Sequence, residues 1–145
     1  MKHIFEAVNA IVDEYTDVKV IYPLHKNPKV REIAYKYFKD NDRVRLIEPL
    51  DVYHFHNYIQ QCFLIMTDSG GVQEEAPSLG KPVLVLRENT ERTEGVATGT
   101  LKLVGVEKES VYNGVKALLD NHEIYSKMSM KEKTVFNSEV LANIV

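Results

Sequence analysis

Phe63-Leu64-Ile65-Met66-Thr67-Asp68-Ser69-Gly70-Gly71-Val72-Gln73-Glu74-Glu75-Ala76-Pro77-Ser78-Leu79-Gly80-Lys81-Pro82-Val83-Leu84-Val85-Leu86 is the stretch on which the fold turns. It opens with an apolar run of the length of a buried strand and closes with another. Between them a hydroxyl and two glycines start a helical segment, so the order is strand, glycine turn, helix, strand. In such a βαβ unit the helix N-terminus lies at the carboxyl edge of a parallel sheet. Free backbone N–H groups and the positive end of the helix dipole meet there, and glycine, lacking Cβ, lets an anion come close. A diphosphate suits that turn, with Ser69, Gly70 and Gly71 around it. Asp68 or Ser69 acting only as a helix cap accounts for the same residues without a ligand. The turn has neither the three spaced glycines of a dinucleotide fingerprint nor the Gly-Lys-Ser/Thr of a P-loop. Glu75 falls on the second helical turn, within reach of a ligand's hydroxyls. Glu74 points about 100° away from it, so the two do not form an acid/base pair.

Outward from this unit, helices and strands alternate. Ile4, Phe5, Val8, Ile11 and Val12 recur at helical spacing, and part of this stripe is expected to lie open. Val18 to Tyr22 reads as a strand ended by Pro23. Pro28 starts a helix to about Asp40, with Val30, Ile33, Ala34 and Tyr37 inward. Val44 to Ile47 is a strand, Asp51 caps a helix ending near Gln61, and Leu101 to Val104 is a further strand. Val111, Val115, Leu118 and Leu119 mark another helix, followed by a polar tail of weaker helical tendency. The alternation predicts one α/β domain over 1–145, a doubly wound parallel sheet with helices on both faces. Ligands bind such sheets outside the carboxyl ends of the strands. Leu50 to Phe55, Ser69 to Gly71 and Arg87 to Gly95 are therefore expected along one edge.

With 145 residues, 44% of them hydrophobic and 27% charged, the chain has the composition of a globular domain. A net charge of -3 argues against nucleic acid as a partner. No apolar run approaches the ~20 residues of a membrane span, and no signal peptide is recognisable. The single cysteine fits a reducing, cytoplasmic setting, and Cys62 reads as a small buried hydrophobe rather than a nucleophile. His54 and His56, two apart on a helix, point to different sides and lack a third ligand, so no metal site is expected. Arg92 either contacts a phosphate or pairs with Glu91 or Glu94. Phe55 either stacks on a base or belongs to the core. His25, in the turn after the first strand, either faces the ligand edge or is merely solvated. No Ser/His/Asp arrangement is visible.

The long motif from Thr67 to Val85 resembles the non-hydrolysing UDP-N-acetylglucosamine 2-epimerases. Tyr22-Pro23 with His25 and Asn27-Pro28, the loop Glu91-Arg92 with Glu94-Gly95, and Thr100 with Lys102 to Gly105 continue the resemblance, over roughly residues 1 to 120. It implies one half of the two-domain fold shared with a large class of glycosyltransferases (the GT-B type), and specifically the C-terminal, UDP-holding half. Ser69, Gly70 and Gly71 would then bind the diphosphate, Glu75 the ribose, Phe55 and the backbone at Leu50 the uracil, and Arg92 the UDP part of the ligand. His25 would belong to a regulatory UDP-N-acetylglucosamine site. The family reaction interconverts UDP-N-acetylglucosamine and UDP-N-acetylmannosamine by eliminating and re-adding UDP, with no cofactor. Its acidic catalytic residues lie in the N-terminal domain, so none is expected here, and the chain is expected to be inactive alone and to self-associate or seek a partner. A His-Arg-Arg-Glu-Asn motif ahead of the first helix and an Asn-Pro-Tyr-Gly-Asp-Gly segment near the C-terminus are not found in this sequence. Thr93 stands where proline is frequent, and Leu50 where a polar residue is. The donor-binding domain of a glycosyltransferase and a non-catalytic nucleotide-sugar module are the alternatives. The Gln73-Glu74-Glu75 run and the Glu91-Arg92 loop favour the epimerase over the first.

Overall fold

The structure, a computed structural model, describes residues 2–24, 26–68, 81–88, 101–128 and 138–143. Apolar residues spaced three and four apart form helix α1, Lys2–Glu14, with Ile4, Phe5, Ala7, Val8, Ile11 and Val12 all buried. A three-residue turn leads into strand β1, Val18–Pro23. Asn27 then caps helix α2, Pro28–Phe38. Its side-chain oxygen accepts the Lys29 N–H at 3.0 Å, and Pro28 takes the first helical position, where no N–H is needed. Strand β2 (Val44–Ile47), helix α3 (Val52–Gln61) and strands β3 (Leu64–Thr67), β4 (Val83–Val85) and β5 (Leu101–Leu103) follow. Helices α4 (Lys108–Asp120) and α5 (His122–Met128) and strand β6 (Ser138–Asn143) complete the described elements.

The six strands form a single sheet in the order β2-β1-β6-β3-β4-β5, and every pairing is parallel. Alternation along each strand sends side chains to both faces. Val20, Tyr22, Leu64, Met66, Leu84 and Val140 join the core shared with α1, α2, α4 and α5. Ile21, Ile65, Val83, Val85 and Leu101 pack on the other face with Ile59 of α3 and Cys62. The expected doubly wound parallel sheet is the observed fold.

Several details differ from the expectation. The apolar stripe of α1 is covered, with Ile4 at 4% and Phe5 at 0% exposure, because α4 lies beside it and Tyr22 and Phe38 close over Phe5. In α2 the inward stripe is Ala34 and Phe38, four residues apart, while Ile33 is 40% exposed. Part of the polar tail is indeed helical: Asn121 accepts the Glu123 and Ile124 N–H groups, and Tyr125 stacks on Phe63 with ring centroids 4.2 Å apart. The Tyr125 hydroxyl donates to the Phe63 carbonyl at 2.8 Å, tying α5 to the start of β3. Beyond α5 the tail also supplies β6, which was not expected. Val140-Leu141-Ala142 is too short an apolar run to announce a strand, and pairing on both sides makes it one.

Candidate functional site

Because the strands are parallel, their carboxyl ends open on one edge. Backbone bonds align them there: Leu24 N–H to the Ile47 carbonyl (2.8 Å), Leu86 N–H to that of Thr67 (2.8 Å), and Val104 N–H to that of Val85 (3.0 Å). After β5, Gly105 turns the chain at φ +71, a conformation that favours glycine, and its N–H reaches the Arg87 carbonyl at 3.2 Å. The loop leaving β4 is thereby anchored at its start.

The loop leaving β2 is fixed by capping. Asp51 accepts the His54 N–H at 2.8 Å, and its second oxygen lies 2.8 Å from His54 Nδ1. The backbone bond first, and then the ring, hold the Asp51 carboxyl below the usual carboxylate range. This cap sets Leu50 just ahead of α3 and Phe55 one turn into it, both half-buried. Phe55 rests partly on the second core, so it belongs to the packing while keeping an exposed part toward solvent. Glu48, on the same edge, is held by Arg31 through contacts of 2.6 and 3.2 Å, and that pairing lowers its pKa.

Tyr22, which sequence reasoning passed over, sits near the carboxyl end of β1. Its ring is 1% exposed, and its hydroxyl is buried without a hydrogen-bond partner. Burial first, and then the nearby Asp68 carboxylate, push its pKa up to about 12. A tyrosine closing an apolar strand, followed by proline, was the available signal. Among the described residues no group of three or more His, Cys, Asp or Glu can hold a metal, and His54 is engaged with Asp51 instead. Cys62 is buried, with its thiol 3.1 Å from the Ile59 carbonyl, as expected of a packing residue. No helix among the described residues is long and apolar enough to cross a membrane. His25, Ser69, Gly70, Gly71, Glu75 and Arg92 lie outside the described residues. On either side of Ser69 to Gly80 the described chain has Asp68 at the end of β3 and the buried Lys81 ahead of β4.

An open parallel sheet whose strand order changes direction at its centre, with capped loops along its carboxyl edge, is the architecture of a ligand-binding doubly wound domain. The sequence profile of the family described as UDP-N-acetylglucosamine 2-epimerase matches residues 1–145, and the chain belongs to that family. A UDP-N-acetylglucosamine 2-epimerase of Bacillus subtilis is 54% identical over 145 residues, which is 100% of this chain and 38% of the relative. The Escherichia coli K12 enzyme of the same name is 39% identical over 144 residues, 99% of this chain and 38% of the relative. Among solved structures, the S. aureus MnaA–UDP co-structure superposes with a TM-score of 0.85 at 56% identity, covering 87% of this chain and 34% of that one. The Neisseria meningitidis UDP-GlcNAc 2-epimerase bound to UDP-GlcNAc gives 0.86 at 42% identity, covering 88% and 34%. The chain thus spans a little over a third of the length of the curated relatives it matches.

Proposed function

We propose that residues 1–145 form the UDP-holding, C-terminal domain of a UDP-N-acetylglucosamine 2-epimerase, and that this chain is catalytically inactive without an N-terminal domain. The observation that carries the reading is the 56% identity and 0.85 TM-score to a UDP co-structure, on a sheet whose carboxyl edge is open. In this reading Ser69, Gly70 and Gly71 cradle the diphosphate at a helix N-terminus, Glu75 accepts hydrogen bonds from the ribose hydroxyls, and Arg92 adds positive charge. Phe55 and the backbone at Leu50 take the uracil. His25 belongs to a second, regulatory nucleotide-sugar site. The reaction served is the interconversion of UDP-N-acetylglucosamine and UDP-N-acetylmannosamine. A diphosphate leaving group carries its charge away as it detaches, and donors aimed at it in advance lower that barrier without a cofactor. The base that removes the C2 proton comes from the covering domain, and the whole works in the cytoplasm, where a lone thiol stays reduced.

Calorimetric titration with UDP tests the reading, and binding is expected. A folded Gly70→Val chain is expected to lose it, because a branched side chain blocks the approach of phosphate to the backbone. Unchanged affinity in that variant refutes the cradle. Incubation with UDP-N-acetylglucosamine in deuterated buffer is expected to leave C2 unlabelled, and deuterium at C2 by NMR refutes the inactivity.

A further inference from the structure

Tyr22 carries a polar group that the packing around it does not require. Its ring lies against Phe5 at 5.7 Å and Phe38 at 6.4 Å between centroids, and the residue is 1% exposed. Phenylalanine would fill the same place. The hydroxyl instead lies buried without a hydrogen-bond partner, which costs free energy in a folded chain. Buried polar groups are nearly always paired, so an unpaired one points to strain or to function.

The sheet brings this hydroxyl toward one carboxylate. Ile21 and Ile65 both pair with Leu141, so β1 and β3 stand level on either side of β6. Tyr22 is therefore level with Met66, and both belong to the core on the α1 face. Asp68 comes two residues after Met66, so alternation puts it on that face, one step nearer the carboxyl edge. Two strand spacings, about 9.6 Å, lie between β1 and β3. A tyrosine ring, a carboxylate and one hydrogen bond span that gap. The two groups already interact: burial first, and then the Asp68 charge, raise the Tyr22 pKa. Phe5 and Phe38 hold the ring, whereas Asp68 is half-buried at the end of its strand, so the carboxylate is the part that adjusts. A carboxylate has about four acceptor positions, enough to take this bond beside the contacts Asp68 has.

Charge supplies the reason for the bond. Asp68 immediately precedes Ser69, the first residue of the proposed diphosphate cradle. A diphosphate there sets like charge beside the Asp68 carboxylate, and the two repel. A hydroxyl donated to Asp68 offsets part of that repulsion, and in an apolar surround the bond is stronger than in water.

We propose that Tyr22 is a positioning residue for diphosphate binding: its hydroxyl donates to the Asp68 carboxylate when the anion is bound, and holds that carboxylate away from the phosphates. The proposal deepens the UDP-holding reading and rests on it. Tyr22 touches neither base nor ribose, so its effect follows the phosphates alone.

The test is calorimetric titration of the full chain with UDP and with uridine. Tyr22→Phe removes only a hydroxyl without a partner, so the variant folds as the parent does. It is expected to weaken UDP roughly tenfold, the worth of a hydrogen bond to a charged group, and to leave uridine within about twofold. Asp68→Asn supplies the second arm. With the charge gone there is little repulsion to offset, so adding Tyr22→Phe to Asp68→Asn is expected to change UDP affinity by less than about threefold. Equal UDP affinity in the parent and Tyr22→Phe overturns the proposal. Equal losses for UDP and uridine overturn it too, because they make Tyr22 a packing residue of the whole site. A tenfold loss that persists in the Asp68→Asn chain shows that Tyr22 does not act through Asp68, and overturns it as well. A parent that binds uridine but gains nothing from the diphosphate refutes the cradle itself, and with it this role of Tyr22.

Discussion

Gly114 lies in the second turn of α4, where glycine is an unfavourable helix residue, so the simplest expectation is that alanine stabilises the chain. A Cβ built there meets Val104 Cγ1 at 2.6 Å, while ordinary contact begins at 3.4 Å. The neighbour cannot easily give way. Val104 is 6% exposed, its branched side chain is stiff at χ1, and its N–H is bonded to the Val85 carbonyl. Alanine gains about 1 kcal/mol in helix propensity, while overpacking a closed core costs about 1–3 kcal/mol. Taking about 2 for the second, Gly114→Ala is expected to destabilise by roughly 1 kcal/mol. Urea unfolding measures it: the midpoint falls by about 0.5 M for a slope of ~2 kcal/mol/M, with the slope unchanged. Val104→Ala removes the obstructing methyl, so the double variant should recover a coupling on the order of 1–2 kcal/mol. A Gly114→Ala midpoint at or above that of the parent refutes the reasoning, and so does strict additivity of the pair. The consequence reaches the site, because Val104 leads into Gly105, whose N–H anchors the loop leaving β4.

Tyr22→Phe is expected to leave stability at pH 7 unchanged or slightly higher, since the lost hydroxyl has no partner. The folded pKa of Tyr22 is about 12 against an ordinary 10, so the folded state holds this proton more tightly. Its contribution is therefore full below pH 10 and lost between pH 10 and 12, and Tyr22→Phe should flatten part of that decline. An absorbance titration should show Tyr22 and Tyr15 ionising late among the eight tyrosines; all eight titrating together contradicts this. Glu75→Gln should weaken UDP by about 1 kcal/mol, the difference between a charged and a neutral acceptor. The loss should shrink for a 2′,3′-dideoxy ligand, and equal losses with both ligands remove Glu75 from the ribose. Asp51→Ala, which deletes the α3 cap, should lower both the unfolding temperature and UDP affinity. A change in stability without any change in affinity would separate α3 from the site. Tyr125→Phe strands the buried Phe63 carbonyl and should cost about 1–2 kcal/mol by denaturant unfolding. No loss there would mean the carbonyl finds another donor.

The sequence by itself determined what local periodicity and turn chemistry can specify. The helical spacing of α1 and α4, the apolar runs of β1, β3 and β4, and the caps at Asn27 and Asp51 are properties of a few neighbouring residues, and each appears where those residues place it. The family was legible too, because the Thr67 to Val85 motif is long and specific. Only the tertiary structure decided what depends on partners distant in the chain. Val140-Leu141-Ala142 becomes a central strand because β1 and β3 lie on both sides of it, about 120 and 75 residues earlier in the chain, a pairing no local pattern announces. Phe38 rather than Ile33 turns inward because Phe5 and Tyr22 stand opposite it. Tyr22 is an ordinary strand residue on paper. Its buried, unpartnered hydroxyl beside Asp68 exists only because burial and the neighbouring carboxylate are set by packing, which sums over the whole sheet rather than over a window of sequence.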